Sequence, residues 1–367
     1  MTKNLYVDIH VLQTVPSSNI NRDDTGSPKT AVYGGVTRSR VSSQSWKRAI
    51  RKAFQDDVKD KEWLEGYRTL RAVNLIAQEI QKLNSEISSE DAVKKANDVL
   101  NAGGIKTAKD KKDNELKTKA LLLISKGQIK SLAKYALEHE EYSKDEKKDV
   151  KKLLQENNSL DLALFGRMVA DDPELNVDAS TQVAHALSTH EIVPEFDYYT
   201  ALDDAQNSNN AGSAMIGTLE YNSATLYRYA NVNIIELAKN LGKDLTVEGL
   251  KLFLKEFITS MPTGKQNSFA NKTLPSYVMM TVREDTPVNL VSAFETPVTS
   301  RNGYMQKSIA TLEEENKNIS GLVEDAVVTE VWTNKESSYQ TVDSVKDAID
   351  DIAEVVSKDL EDENTND

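Results

Sequence analysis

The stretch VTRSRVSSQSWKRAIRKAF, residues 36–54, joins a strand pattern directly to a helix pattern, which is the first indication of the fold. Its first six residues are β-like, with Arg38 and Arg40 on the same face. Ser42 or Ser43 is a good helix N-cap. Behind the serines, apolar side chains recur at helical spacing: Trp46, Ala49, Ile50, Ala53 and Phe54. We therefore predict a strand followed at once by a helix that buries one face.

The same stretch concentrates positive charge in an acidic chain. It holds six basic residues and no acidic one, whereas the whole chain of 367 residues has a formal net charge of -13. Residues 1–54 carry a net charge of +6, and residues 343–367 carry -8. Such asymmetry predicts a localised anion-binding face. The acidic total argues against a protein that coats nucleic acid indiscriminately.

The basic side chains of the predicted helix lie on the arc opposite its apolar face. Lys47 and Arg51 are one turn apart, about 6 Å along the axis, so both can reach neighbouring phosphates of one strand. A serine-rich helix start offers free backbone N–H groups to an anion. The alternative is an ordinary solvated face, but such faces usually mix signs. Binding of nucleic acid or another polyanion is the favoured interpretation, through Lys47, Arg48, Arg51 and Lys52, with neutral donors from Ser42, Ser43, Gln44 and Ser45.

The rest of the chain supplies the other elements of an α+β fold. Residues 14–35 are predicted as a loop, residues 55–160 as a helical insertion, and residues 159–190 as strand, loop and strand. Residues 191–225 indicate an extended hairpin with a flexible tip at QNSNNAGSA. Further strands are predicted at 4–13, 226–235, 277–283 and 326–332, and helices at 247–260 and 342–358. Without the insertions, this order is the βαββαβ pattern of ferredoxin-like and RNA-recognition domains.

Composition excludes several classes of function. The chain has no cysteine and four histidines without an HExxH motif, so a disulfide framework, a thiol nucleophile and a His-rich metal site are not expected. There is no signal peptide and no apolar run near the roughly 18 residues of a membrane span. A cytoplasmic protein without membrane contact is expected. No catalytic or dinucleotide motif appears, so neither an enzyme nor a cofactor is predicted.

Three further features have two interpretations each. Asp23 and Asp24 beside Arg22 can hold a metal for phosphodiester cleavage, or form a turn with a local salt bridge, which is favoured. Tyr198 and Tyr199 can stack on bases, although a core contact is the commoner role of strand tyrosines. Met168 can act as a wedge against a base step, although methionine usually fills a core.

Two more candidates lie elsewhere in the chain. Lys265 and Gln266, in the loop of residues 261–271, can offer backbone N–H groups and a cation to phosphate, although the loop is not a P-loop. His185 and His190 are interpreted as ordinary strand histidines.

Six segments together resemble one known family. They are IHVLQTVPSSNINRDDTGSPKTAVYGGVTRSRVSSQSWKRAIRK (9–52), LALFGRM (162–168), AHALSTHEIVPEFDYYTALDD (184–204), GTLEYNSATLYRYANVN (217–233), PTGKQNSFA (262–270) and AFETPV (293–298). Taken in this order, they resemble the CasC-type backbone subunit of the type I-E CRISPR Cascade complex. Residues 55–160 and the acidic tail are far less distinctive.

The resemblance implies a hand-like fold and a scaffold function. It implies a modified RRM-like palm (1–55, 161–190 and 225–367), a helical finger domain (56–160) and a β-hairpin thumb (191–224). Several copies would assemble along one CRISPR RNA, beside other Cascade subunits, and each thumb would reach across the guide to the next copy. The guide bases would stay available to pair with a target DNA strand.

The resemblance also implies site residues by position. Guide phosphates would be contacted by Arg22, Ser42, Gln44, Lys47, Arg51, Lys265 and Gln266. Arg40 and Arg48 would be further phosphate contacts. Met168, Tyr198, Tyr199 and Thr200 would lie near the displaced nucleotide and the heteroduplex. The family pattern at the tyrosine pair is more often Trp-Phe, so hydroxyl groups are added here.

Two rival functions remain open from the sequence. One is a metal-dependent RNA-cleaving backbone subunit of a related CRISPR effector, using Asp23 or Asp24. The other is a protein-interaction adaptor whose basic helix binds an acidic partner.

Overall fold

The computed structural model describes residues 4–57, 61–201 and 215–364. Its strands are β1 (Tyr6–Ser18), β2 (Thr30–Tyr33), β3 (Val36–Val41), β4 (Gly66–Thr69), β5 (Thr107–Lys109), β6 (Leu116–Thr118), β7 (Leu122–Ser125), β8 (Thr181–Val183), β9 (Ala186–Ser188), β10 (Glu195–Ala201), β11 (Met215–Asn233), β12 (Tyr277–Arg283) and β13 (Val328–Thr333). Its helices are α1 (Ser43–Asp57), α2 (Ala72–Leu83), α3 (Ser89–Ala102), α4 (Lys126–Glu138), α5 (Lys144–Gln155), α6 (Leu160–Phe165), α7 (Ile234–Leu241), α8 (Lys243–Thr259), α9 (Gln266–Phe269), α10 (Met305–Asn318) and α11 (Val345–Asn364).

The chain divides into two compact units. Residues 1–50, 183–231 and 251–367 form unit 1, and residues 51–182 and 232–250 form unit 2. None of the helices in the described ranges has the length and apolar character needed to cross a membrane.

Unit 1 is built on one sheet with the strand order β13-β12-β1-β11-β9-β3-β2. Within it, β12, β1, β11 and β9 follow the ferredoxin-like arrangement, in which the fourth strand lies beside the first. In the chain, α1 lies between β1 and β9, and α8 lies between β11 and β12. The predicted α+β fold is confirmed.

The central strand β1 is buried on both faces. Its predicted apolar face, which includes Val7 and Ile9, is buried, and so are Asp8, His10 and Leu12 on the other face. Helix α10 packs against β1, and α11 packs against the neighbouring strands β12 and β13. The prediction of a single strongly apolar face was therefore incomplete.

Unit 2 has its own hydrophobic core. Helices α2 to α5 bury a continuous set of aliphatic side chains, including Val73, Ile76, Leu132 and Leu154. The predicted capping box at Ser143 is confirmed. The region is less purely helical than predicted, since β4 pairs with β7 and β5 pairs with β6.

Three element predictions were wrong in part. The stretch 160–165, predicted as a strand, is the short helix α6, which ends at Gly166 with φ 73°. Residues 14–35 are not all loop, because β1 runs to Ser18 and β2 pairs with β3. The C-terminal helix continues to Asn364, past the predicted end at residue 358.

The predicted hairpin is present as β10 and the first part of β11. Glu195–Ala201 pair antiparallel with residues 215–221. The predicted flexible tip, residues 206–214, lies outside the described residues.

Candidate functional site

Arg38 is a structural residue and is not part of an anion-binding face. Its side chain is fully buried. The guanidinium donates hydrogen bonds to the carbonyl oxygens of Tyr33 (3.1 Å), Ser188 (3.0 Å) and Phe294 (2.8 Å). Burial lowers the pKa of this guanidinium. The expectation that Arg38 and Arg40 share one face therefore has no consequence for binding, because only Arg40 reaches the surface.

Helix α1 is anchored in unit 1 by Trp46. The indole is 1% exposed, and the buried Arg228 guanidinium lies 3.8 Å from the centre of its ring. Arg228 also lies over the Phe257 ring and donates hydrogen bonds to Gln13 Oε1 (2.7 Å) and to the Phe257 carbonyl. Burial lowers the pKa of Arg228 to about 9, so the group stays charged at neutral pH. This packing fixes the arc of α1 that faces solvent.

The solvent-facing arc of α1 carries part of the predicted set. Gln44 and Arg48 are exposed, while Lys47 is half-buried and its pKa is lowered by burial. Arg51 is already engaged, because its Nε lies 2.7 Å from Oδ2 of Asp161, whose side chain is only 4% exposed.

The loop of residues 19–29 is held in place by side-chain amides. Asn21 Oδ1 accepts a hydrogen bond from the Ser42 N–H (2.8 Å), which ties the loop to the start of α1. Asn19 Nδ2 donates to the carbonyls of Gly26 and Glu220, both at 2.9 Å. Arg22 forms an isolated β-bridge with Pro28, and its side chain is exposed.

Asp23 is occupied by the turn in which it lies. Its Oδ1 accepts hydrogen bonds from the Thr25 hydroxyl (2.7 Å), the Thr25 N–H (2.9 Å) and the Ser27 N–H (3.1 Å). The Thr25 hydroxyl is the main cause of a lowered Asp23 pKa. Within residues 4–57, 61–201 and 215–364, no group of three His, Cys, Asp or Glu side chains is placed to hold a metal. These contacts fit the turn interpretation.

The loop of residues 261–271 packs against the loop of residues 19–29. A Cβ added at Gly264 would lie 2.2 Å from the Ile20 carbonyl oxygen, so the two backbones approach as closely as glycine permits. Lys265 follows in the left-handed region with φ 53°, and the short helix α9 begins at Gln266. Both side chains are partly exposed. Their loop therefore lies beside the loop that carries Arg22.

Arg40 projects from β3 between two acceptors. Its Nε donates to the Thr30 carbonyl (3.0 Å), and its Nη1 lies 3.2 Å from His185 Nδ1. In the part of the chain that the structure describes, no ion pair is made by four cations of unit 1: Arg22, Arg40, Arg48 and Lys265. The loop of residues 19–29 contacts both the start of α1 and the loop of residues 261–271, and we refer to these four cations together as the basic face.

The hairpin of β10 and β11 is exposed on both sides. Tyr198 is 64% and Tyr199 42% exposed, and Thr200 is exposed too. The Tyr199 ring covers Gly217 on the opposite strand, since a Cβ there would lie 2.5 Å from the ring. The core interpretation of the two tyrosines was therefore wrong.

Met168, in unit 2, is 85% exposed, so its core interpretation was also wrong. The turn that carries it is held by its neighbours. The buried Arg167 donates to the carbonyls of Leu175 (3.0 Å) and Leu154 (2.6 Å), and the Val169 N–H donates to Asn176 Oδ1 (2.7 Å). The methionine is thus an apolar side chain presented on a fixed turn.

Sequence reasoning missed several residues that position the basic face. Asn21 bonds to Ser42, 21 positions along the chain, and Arg228 packs on Trp46, 182 positions away. No local sequence pattern indicates either residue. His185 was interpreted as an ordinary strand histidine, yet it is exposed and contacts Arg40. His190 fits that interpretation, since it is buried and stacks on Tyr304 at 3.7 Å.

Comparison with known proteins gives consistent matches. Residues 7–358 match the model of the family described as CT1975-like protein. One solved chain, from a CRISPR RNA-guided surveillance complex in a pre-nicking state, is 34% identical with a TM-score of 0.84; the match covers 96% of this chain and 100% of that one. Another solved chain, from a CRISPR RNA-guided surveillance complex, is 30% identical with a TM-score of 0.74; the match covers 95% of this chain and 99% of that one. No curated protein matches the sequence.

Proposed function

The chain belongs to the CT1975-like protein family, and we propose that it is a scaffold subunit of a CRISPR RNA-guided surveillance complex of the Cascade type. It binds the CRISPR RNA through the sugar-phosphate backbone and leaves the bases free to pair with target DNA. The observation that carries this proposal is the basic face, in which four cations lack an acidic partner although the whole chain has a net charge of -13. Among Cascade types, we assign the chain to type I-E.

The proposed contacts combine cations with neutral donors. Phosphates are bound by Arg22, Arg40, Ser42, Gln44, Lys47, Arg48, Lys265 and Gln266. Arg51 contributes less than the sequence predicts, because Asp161 already neutralises it. Tyr198, Tyr199, Thr200 and Met168 lie at the displaced nucleotide and the heteroduplex, where exposed apolar side chains can stack on or separate bases.

The proposed hand assigns a role to each region. The palm (1–55, 161–190 and 225–367) binds the guide, the finger comprises residues 56–160, and the thumb (191–224) crosses the guide to the next copy. Unit 2 is larger than the proposed finger, because unit 2 also includes residues 161–182 and 232–250.

A non-catalytic role is part of the proposal. The rival cleavage mechanism uses Asp23 or Asp24, and Oδ1 of Asp23 already accepts three hydrogen bonds within its own turn. The discriminating assay is cleavage of a paired RNA target by the assembled complex with magnesium. Cleavage that disappears in Asp23→Ala would replace the scaffold function with the cleaving one.

The scaffold proposal is tested by the salt dependence of RNA binding. One subunit that neutralises about four phosphates of single-stranded RNA gives a slope of log K against log salt near -3. Arg48→Ala removes one exposed cation, so we expect the slope to become shallower by about 0.7 and affinity to fall for all RNA sequences alike. The measurement is fluorescence anisotropy at several salt concentrations, at low occupancy of the RNA.

The matched control is Lys335→Ala. Lys335 is exposed in unit 1 but lies in none of the segments that form the basic face. We expect it to leave the slope unchanged. An equal effect of both variants, or a loss restricted to particular RNA sequences, would contradict backbone binding at the basic face.

A further inference from the structure

His185 has a fixed tautomer in unit 1. A guanidinium is always protonated and has no acceptor, so it must be the donor in its contact with the imidazole. Its Nη1 lies 3.2 Å from His185 Nδ1, which is therefore the acceptor. The neutral ring then carries its proton on Nε2. An exposed N–H donor is thus held next to a cation.

Arg40 is held at two points and keeps donors to spare. Its Nε donates to Thr30 O and its Nη1 to His185, while Nη2 has no partner among the residues that the structure describes. Lys29 is adjacent, since its carbonyl accepts the Arg40 backbone N–H at 2.9 Å. A guanidinium held in this way loses little conformational freedom when it binds a further acceptor.

The surroundings favour an anion over a base. Burial is the main cause of the lowered pKa of His185, and the positive charges of Arg40 and Lys29 add to it. The cleft beside Arg40, lined in part by Lys29, Ser39 and Asn222, has a volume of about 10 Å³. It has room for about one water molecule and none for a nucleobase. The donors of both side chains therefore have to meet backbone oxygens outside the cleft.

We propose that His185 is a further RNA-binding residue, whose Nε2–H donates to one backbone phosphate while the free Nη2 of Arg40 donates to a neighbouring one. The inference rests on the proposed function. His185 contributes a neutral donor and holds Arg40 in position, so its removal acts on affinity in both ways. The two side chains form a unit, and their contributions are not additive.

The test is a double-mutant cycle with a short single-stranded RNA. We expect His185→Ala to weaken binding about tenfold, the loss of one charge-assisted contact. His185→Gln keeps an acceptor for Arg40 and a donor for phosphate, and we expect it to restore affinity to within about twofold of the wild type. The loss in Arg40→Ala combined with His185→Ala should be smaller than the sum of the two single losses, because part of the His185 effect acts through the position of Arg40.

The controls separate this inference from the proposed function. His139→Ala removes a histidine of unit 2 and should leave affinity unchanged. If Arg48→Ala weakens binding while His185→Ala does not, or if the Arg40 and His185 losses simply add, the His185 site is overturned and the scaffold function stands. If the wild type itself binds RNA without salt dependence, both fail. In the free protein, imidazole ¹⁵N shifts that place the proton on Nδ1 would also exclude the site.

Discussion

Individual cations of the opening stretch have different roles, which the sequence could not separate. Arg38 and Arg40 differ by two positions, yet only Arg38 is buried. Its acceptors at Ser188 and Phe294 lie 150 and 256 residues away in the chain. Arg51 resembles Lys47 in spacing but has a carboxylate partner, Asp161, at a separation of 110 residues. Local spacing predicted the basic arc, whereas only tertiary contacts decide which cations remain available.

Asp8 makes the stability of the fold depend on pH. Burial raises the pKa of its carboxyl group to about 7. The hydrogen bonds from the Tyr229 hydroxyl (2.7 Å) and the Val288 N–H (3.0 Å) lower this pKa, but by less than burial raises it. Arg283 Nε lies 3.6 Å away and offsets only part of the cost of burial. The folded protein therefore keeps a proton that the unfolded chain loses at about pH 4. The contribution of Asp8 to the free energy of unfolding falls as pH rises from about 4 to about 7.

Asp8→Asn removes this titration but keeps only one acceptor oxygen, so the hydrogen bonds of Tyr229 to Oδ1 and of Val288 to Oδ2 cannot both be kept; that cost does not depend on pH. Between pH 5 and pH 8 the wild type should lose about 2.5 kcal/mol relative to the variant. The measurement is urea unfolding of both proteins at the two pH values. Asp343→Asn, an exposed change of equal charge, should show no such difference. A difference between wild type and Asp8→Asn that stays constant with pH would contradict the raised pKa.

At the scale of elements, patterns with strong periodicity predicted the fold well. Strand β12 has the predicted bounds, Tyr277–Arg283, and α1 begins within one residue of its predicted cap. The short apolar run that forms α6 was assigned to a strand, because periodicity cannot separate a buried strand from one buried helical turn. The contact between the loops of residues 19–29 and 261–271 was not predictable, since it joins loops about 240 residues apart. That contact nevertheless brings together the loops that carry Arg22 and Lys265.

Gly264→Ala tests whether the loop contact shapes the basic face. The added methyl group would meet the Ile20 carbonyl at 2.2 Å, so the loops must separate. We expect the free energy of unfolding to fall by about 1–3 kcal/mol and RNA affinity to fall for all sequences, as Arg22 and Lys265 move apart. The control is Gly321→Ala, where a Cβ meets nothing within 4 Å. Unchanged RNA binding by a destabilised Gly264→Ala protein would show that the loop contact serves stability alone.

At the scale of the whole molecule, the proposed function gives RNA binding to the charged surface and contacts between copies to the exposed apolar surface. The acidic total discourages nucleic acid from binding outside the basic face. The hairpin instead exposes large apolar side chains, with Phe196 67% and Ile216 62% exposed beside Tyr198. Such side chains gain little while they face water, so they are suited to contacts made in an assembly. Binding of one copy and assembly of several copies should therefore be separable by mutation.

Tyr198→Ala is expected to affect assembly without affecting the fold. The side chain is 64% exposed, so the free energy of unfolding should change by no more than about 0.5 kcal/mol. On an RNA long enough for one copy, affinity should stay within about threefold of the wild type, because the phosphate contacts remain. On an RNA long enough for several copies, the binding curve should lose cooperativity, since the proposed thumb contact between copies is weakened.

Mass photometry of the longer RNA complexes counts the bound copies at each protein concentration, and Lys335→Ala serves as the control with wild-type cooperativity. If Tyr198→Ala fills the longer RNA as cooperatively as the wild type, this tyrosine takes no part in contacts between copies; if one-copy binding collapses instead, the hairpin belongs to the RNA-binding surface of its own subunit.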